Sequence, residues 1–186
     1  MNREQWLDKA VSEIRPVFEV RGFPLPEKIR VTCGFPSKNA RSRSRRIGEH
    51  WSPNASSDGT HEIFVSPVLA ESYEVLGTLV HELCHAATNG DGHKGRFPAC
   101  ARALLLEGKP THATGGEAFK QSMSELIEEL GEYPHAAMNI GVEQKKQSTR
   151  LLKAYCPDCG YTIRLTAKWA SLGLPECPQD GNVFIT

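Results

Sequence analysis

The sequence has no long uninterrupted run of apolar residues and no recognisable export signal. No stretch of its 186 residues approaches the roughly 18 consecutive apolar residues that a membrane-spanning helix needs, so we expect no membrane association. The segment from Met1 to Asp8 lacks the apolar core of a secretory signal peptide. These absences predict a cytoplasmic protein, or a nuclear one if the host is a eukaryote.

An excess of charge is also missing, because 22 Lys and Arg balance 22 Asp and Glu. The whole molecule is therefore not a polycation, and any attraction to nucleic acid must come from local patches. The apolar fraction of 39% and the charged fraction of 24% are ordinary for a globular protein and exclude wholesale disorder. The length allows one sizeable core with a small appendage.

Hydrophobic periodicity predicts an α+β protein. Apolar residues four positions apart predict a helix over 2–21, which Pro16 should kink or shorten. Alternating and short apolar runs predict strands, and longer runs predict helices. The predicted strands are 28–34, 49–51 and 61–66. The further predicted helices are 67–89, with a split near Glu71, 97–106 and 117–130. A predicted linker over 131–150 precedes short strands from Leu151.

The run His81-Glu82-Leu83-Cys84-His85 lies in the middle of the longest predicted helix. Histidines at positions i and i+4 differ by about 40° around a helix, so the two imidazoles share one face. At roughly 100° per residue, the histidines and the glutamate lie opposite the apolar stripe and should line a cleft. That stripe consists of Leu76, Val80, Leu83 and Ala87.

These residue types predict a catalytic zinc site. Two neutral imidazoles, His81 and His85, would bind Zn²⁺ and leave positions open for water. Glu82 would act as the general base that activates the zinc-bound water for peptide hydrolysis. A catalytic zinc usually needs a third protein ligand. His93 is the preferred candidate, because it follows the helix break at Asn89-Gly90-Asp91-Gly92, which lets the chain turn back toward the helix. The alternative third ligands are Glu107 and Glu117.

The six cysteines divide into two groups. In a reducing compartment, clustered cysteines are more often metal ligands than disulfides. Cys84 falls on the side of the predicted helix, and we expect it to pack in the core together with Cys33 and Cys100.

The clustered cysteines predict a structural zinc site in the tail. Cys156-Pro-Asp-Cys159-Gly is followed, after seventeen residues, by Cys177-Pro-Gln-Asp180-Gly. This spacing is within the window of four-ligand zinc sites, and Asp180 stands where a fourth cysteine is expected. A carboxylate can bind zinc, so a Cys₃Asp site is feasible; the alternative is a site that has lost its metal and keeps three free thiols. A zinc ion would also explain how so short a tail folds.

The run from His81 to Ala87, followed by His93-Lys94-Gly95-Arg96-Phe97, resembles the SprT-like (Spartan-related) zinc metalloprotease family. The segment Ile63-Phe64-Val65-Ser66 before the helix is also similar. The resemblance covers about residues 5–130, and the cysteine cluster resembles the zinc ribbon that many family members carry at their C-terminus.

The resemblance implies a zincin-like metallopeptidase domain over 1–140 and a zinc ribbon over 150–186. It implies an N-terminal helix, a small mixed sheet, the active-site helix and further helices. It also implies that the strand before the active-site helix binds substrate as an added strand. Family members with an assigned role cleave proteins attached to DNA, so the implied substrates are DNA-associated or DNA-crosslinked proteins and the implied process is DNA repair.

Two basic regions agree with contact to DNA. Residues 28–50 hold seven Lys and Arg against one Glu, and residues 141–170 hold six against one Glu and one Asp. Such residues contact phosphates without reading sequence, and aromatic side chains stack on single strands. The aromatic candidates are Trp51, Tyr155, Tyr161 and Trp169.

Two other functions are compatible with the sequence. One is a regulatory peptidase that cuts a specific partner without DNA. The other is a non-catalytic, zinc-containing protein that binds DNA or acts in transcription. The intact Glu82 argues against the second, because a structural zinc site has no use for a general base.

Overall fold

The structure, a computed structural model, describes residues 1–39, 42, 44–140 and 150–186. The chain divides into two compact units, Met1–Ile140 and Gly141–Thr186. Helices and short sheets are both present, which confirms the mixed α+β class. No helix among the described residues has the length and hydropathy that crossing a membrane requires.

The first helix, α1, spans Arg3–Val20 and begins at an Asn2 cap. The Asn2 side chain accepts a hydrogen bond from the backbone of Gln5, and the Gln5 side chain accepts one from the Asn2 backbone, so the cap satisfies two of the free donors of the first turn. The expectation that Pro16 would shorten α1 was wrong. Pro16 and Ser12 both lie on the exposed side of the helix, where water can satisfy the carbonyl that the proline leaves without a donor.

A three-stranded sheet lies next along the chain. Strand β1 is Ile29–Cys33, β2 is Gly48–Trp51 and β3 is His61–Val65, in the order β1-β3-β2. β1 pairs with β3 in parallel and β2 pairs with β3 antiparallel. The expectation that β3, the strand before the main helix, would accept an added strand was wrong, because β3 has a neighbour on each side. β2 is the edge strand that packs against the main helix.

The main helix, α2, spans Ser72–Ala87 and packs against β2 and β3. The predicted start at residue 67 was too early. Glu71 caps the helix by accepting hydrogen bonds from the backbone of Tyr73 and Glu74, so the first helical residue is Ser72. Leu76, Val80 and Leu83 are fully buried, as the predicted apolar stripe requires.

The rest of the first unit packs beside α2. Helix α3 spans Phe97–Ala103 and ends before the predicted residue 106, because Leu105 has a φ of +61° and Leu106 then pairs with Gly115. The remaining elements are β4 (Leu106–Glu107), β5 (Thr114–Gly115), α4 (Glu117–Leu130) and single 3₁₀ turns at Pro53–Ala55 and Pro110–His112.

The predicted linker over 131–150 is partly packed on the first unit. Tyr133 is buried with its ring edge against Trp6, whose Nε1 donates to the carbonyl of Gly131. The backbone N–H of Met138 donates to the carbonyl of Pro67. Residues 131–138 therefore pack against the rest of the first unit. Residues 141–149 lie outside the described residues.

The second unit is a small two-stranded structure. β6 (Leu151–Tyr155) pairs antiparallel with β7 (Thr162–Thr166), which leads directly into the short helix α5 (Ala167–Ala170). Among its described residues, 150–186, the buried cluster consists of Ala154, Cys156, Cys177 and Phe184. Domains of this size gain little stability from so small a core, and natural ones commonly add a metal or disulfides.

Candidate metal centres

Three half-buried imidazoles converge at α2. His81 and His85 lie on the helix with ring centroids 5.2 Å apart, and His93 approaches from the following loop with its Nε2 3.3 Å from the Nε2 of His81. One nitrogen from each of the three residues lies within 4.8 Å of the others. This group of ligand atoms is compact enough to hold a metal such as zinc.

The loop after α2 brings His93 back to the helix. Asn89, Gly90, Gly92 and Gly95 all have a positive φ, a conformation that glycine adopts at little cost. Asp91 closes the loop, because its Oδ2 accepts the backbone N–H of Arg96 at 2.9 Å. The glycine-rich break is therefore a turn that places His93 beside His81.

A hydrogen bond orients His81 for metal binding. Its Nδ1 lies 3.0 Å from the carbonyl oxygen of Ala113. A carbonyl only accepts hydrogen bonds, so Nδ1 carries the proton and Nε2 keeps a free lone pair. Metal-binding histidines are commonly fixed in this way by a backbone carbonyl.

Phe97 forms an apolar wall behind all three histidines. Its ring is fully buried and stacks on His85 at a centroid distance of 4.3 Å, with edge contacts to His81 and His93 at 5.0 and 5.1 Å. Burial lowers the pKa of all three imidazoles, that of His85 to about 3. They are therefore neutral near pH 7, which is the form that binds a metal.

Glu82 lies beside the histidines in a buried position. Only 7% of the residue is exposed, and burial raises the pKa of its carboxyl group to about 8. The carboxyl group lies against Gly48 of β2 so closely that a Cβ at that position would collide with Glu82 and with Thr78. The Glu82 side chain makes no hydrogen bond to any other described residue, so its carboxyl oxygens are available for a ligand.

The rival third ligands do not join the histidines. Within the described residues, the group around His81 includes neither Glu107 nor Glu117, and both of these side chains are exposed. The cysteines outside the tail are buried in the core as expected: Cys33, Cys84 and Cys100.

Sequence reasoning overlooked two further histidines near this group. His50 of β2 lies parallel to the ring of His85, with centroids 6.1 Å apart and planes 8° apart. Its Nε2 is 2.8 Å from the Nδ1 of the buried His61. The sequence signal that could have identified them is the alternation of side chains along a strand. His50 shares one face of β2 with Gly48, and His61 shares a face of β3 with the buried Ile63 and Val65.

Four side chains of the second unit form another group of ligand atoms. Cys156, Cys159, Cys177 and Asp180 each place one sulfur or oxygen within 4.8 Å of the others. The Sγ of Cys156 is 3.2 Å from an Asp180 oxygen, and the Sγ atoms of Cys159 and Cys177 are 3.4 Å apart. The group is compatible with a tetrahedral metal such as zinc.

The two halves of this group repeat the same backbone turn. Gly160 donates to the carbonyl of Cys156, and Gly181 donates to the carbonyl of Cys177, with φ angles of 75° and 76°. The N–H of each leading cysteine donates to the carbonyl five residues later. Asp180 therefore occupies in the second turn the position that Cys159 occupies in the first.

The chain matches no family model, no curated protein and no solved structure. The interpretation of both centres therefore depends on their own geometry and on the sequence pattern.

The residues expected to contact DNA are only partly described. Arg41, Arg43 and residues 141–149 lie outside the described residues. Arg46 is paired with Glu49 at 3.1 Å. The aromatic candidates are all exposed: Trp51, Tyr155, Tyr161 and Trp169.

Proposed function

We propose that this protein is a zinc-dependent endopeptidase of the SprT-like type that acts on DNA-associated or DNA-crosslinked proteins. The observation that carries the proposal is the convergence of three neutral imidazoles beside the buried carboxyl group of Glu82. A purely structural metal site would need the imidazoles. It would not need the neighbouring Glu82 carboxyl group, which has no hydrogen-bond partner among the described residues.

His81, His85 and His93 are the residues that would hold the zinc ion. The bound ion would supply a Lewis acid that polarises the scissile carbonyl and lowers the pKa of water. The positive charge of the bound ion would also lower the raised pKa of Glu82. The Glu82 carboxylate would then accept a proton from the attacking water and pass it to the leaving amine. The apolar wall at Phe97 limits the access of bulk water from behind the histidines.

The edge strand β2 gives the substrate a place to bind. Its residues Gly48 to Trp51 pair with β3 on one side only within the described residues. A substrate segment in an extended conformation would pair with the other edge and so lie along α2, where Glu82 faces Gly48. This arrangement selects unfolded or flexible protein segments, because a folded helix cannot add to a sheet edge.

A second zinc ion, bound by Cys156, Cys159, Cys177 and Asp180, would stabilise the small second unit. The unit has few buried apolar side chains, so metal binding would provide much of its folding free energy.

The outer face of β6 and β7 supports a role in DNA binding. Lys153 lies directly opposite Arg164 in the strand register, and like charges in that arrangement are destabilising. Neither residue forms an ion pair within the described residues. Tyr155 lies on the same face, so phosphates would neutralise the two cations and a base could stack on the ring.

Cleavage of a DNA-bound protein tests the proposal. The wild-type protein, loaded with zinc, should cleave the substrate, and single-stranded DNA should increase the rate. Glu82→Gln should be inactive, and a double variant, Lys153→Ala with Arg164→Ala, should lose the DNA effect while keeping basal cleavage. Lys120→Ala on α4 is the control. Cleavage that Glu82→Gln leaves unchanged would refute the peptidase assignment, and cleavage independent of DNA would favour a partner-specific peptidase.

A further inference from the structure

Next to the three imidazoles lies a pair of histidines that zinc binding by His81, His85 and His93 would not use. His50 lies on the face of β2 that looks toward α2, two residues beyond the Gly48 that touches Glu82. Its ring is parallel to that of His85. A substrate segment that binds along β2 would therefore pass His50 as well as Glu82.

His50 is held in place by His61. The Nε2 of His50 and the Nδ1 of His61 are 2.8 Å apart, and the two rings are stacked at 5.1 Å with planes 24° apart. His61 is only 5% exposed, at the start of the central strand β3. Neither ring can turn without breaking this hydrogen bond.

The other ring nitrogen of His50 is open. Among the described residues, Nδ1 of His50 has no hydrogen-bond partner. If that atom were fully buried, it would be a buried polar atom without a partner, and Tyr133 Oη is the only such side-chain atom among the described residues. Nδ1 of His50 is therefore accessible to solvent. An accessible polar atom on a fixed ring beside a metal site is suited to contact a ligand.

We propose that His50 is a catalytic residue that donates a hydrogen bond from Nδ1 to the carbonyl oxygen of the scissile peptide, and that His61 is its positioning residue. This inference rests on the proposed peptidase function. The carbonyl oxygen gains negative charge when water attacks, so a fixed donor stabilises the transition state more than the bound substrate. In this step Glu82 would accept a proton from water. His50 would supply the hydrogen-bond donor to the carbonyl oxygen, which a carboxylate cannot provide.

The hydrogen bond between the histidines links the positions of their protons, because one ring nitrogen must donate and the other must accept. A neutral imidazole carries one N–H. The proposal requires that His61 donates Nδ1–H to Nε2 of His50, because the proton of His50 must then be on Nδ1. His50 keeps this proton throughout the reaction, so no covalent or proton-transfer step is assigned to it.

Kinetics of matched variants test the catalytic role. His50→Phe keeps an aromatic ring next to His85 and removes both nitrogens. It should lower kcat by about 10²-fold or more with little change in KM, because a transition-state contact is lost. His50→Asn restores an N–H near the position of Nδ1 and should recover part of kcat. His61→Phe should also lower kcat, and Thr32→Ala on the outer face of β1 is the control.

A readout independent of activity tests the proton position. Nitrogen NMR on the full-length zinc-loaded protein should place the proton of His50 on Nδ1, and His61→Phe should redistribute it between the two nitrogens. A proton on Nε2 of His50 in the wild type would overturn the proposal, as would loss of the catalytic zinc in His50→Phe.

The two proposals fail in different ways. If Glu82→Gln is inactive but His50→Phe has the wild-type kcat, the assignment of His50 is wrong and the peptidase function stands. If Glu82→Gln is as active as the wild type, the peptidase function is wrong and the role of His50 falls with it.

Discussion

The carboxyl group of Glu82 packs directly against the α-carbon of Gly48, and there is no room between them for a methyl group. This contact joins the middle of α2 to the edge strand β2. It explains how a carboxyl group in the middle of a helix can lie at the edge of a sheet where an extended substrate would bind.

Replacing Gly48 by alanine should therefore impair catalysis without removing the metal. The new Cβ would push the Glu82 carboxyl group out of position, and a displacement of about 1 Å can cost about 10²-fold in rate. The measurement is kcat/KM together with zinc content. Gly34→Ala is the matched control, since its Cβ would meet the ring of Phe64 and not Glu82. Wild-type kcat/KM in Gly48→Ala would show that the contact does not position the base.

Zinc content should distinguish the two centres. The wild-type protein should contain about two zinc ions per chain, if each group of ligand atoms in the structure binds one ion. His93→Gln should lose one ion and Cys156→Ser the other, because each removes a ligand from a different group. His112→Gln, an exposed histidine bonded to Thr111, should change neither. About one zinc per chain, unaffected by Cys156→Ser, would exclude the second site.

Asp180 should be a weaker ligand than the cysteine it replaces. Zinc sites of this kind favour thiolates. Asp180→Cys should therefore bind zinc tighter by about tenfold or more, which corresponds to ~1.4 kcal/mol, and Asp180→Ala should bind it more weakly. The measurement is competition with a chromophoric chelator. Ser171→Ala, at the exposed end of α5, is the control. Equal affinities in all four proteins would mean that Asp180 does not touch the metal.

Much of the fold follows from local patterns. The spacing of His81 and His85 depends only on helix geometry, and the glycine break before His93 depends only on backbone freedom. The two cysteine turns repeat in sequence as they do in backbone hydrogen bonds. Features of this kind need no knowledge of the rest of the chain.

The features of the candidate site that sequence reasoning missed are long-range. The contact of Gly48 with Glu82 and the bond between His50 and His61 depend on the register between β2 and β3, which is set by packing and not by local sequence. The packing of Tyr133 on Trp6 likewise joins residues far apart in the chain. The composition of 131–140 is that of a linker, and its packing on the first unit is visible only in the structure.

The most direct test of the peptidase mechanism measures zinc and cleavage on the same samples of wild-type protein and Glu82→Gln. Glutamine has nearly the same shape as glutamate but cannot accept the proton of the attacking water. The account predicts that Glu82→Gln keeps both zinc ions and the wild-type unfolding temperature while cleavage falls by about 10²-fold to 10⁴-fold. Wild-type cleavage by a fully zinc-loaded Glu82→Gln protein would contradict it.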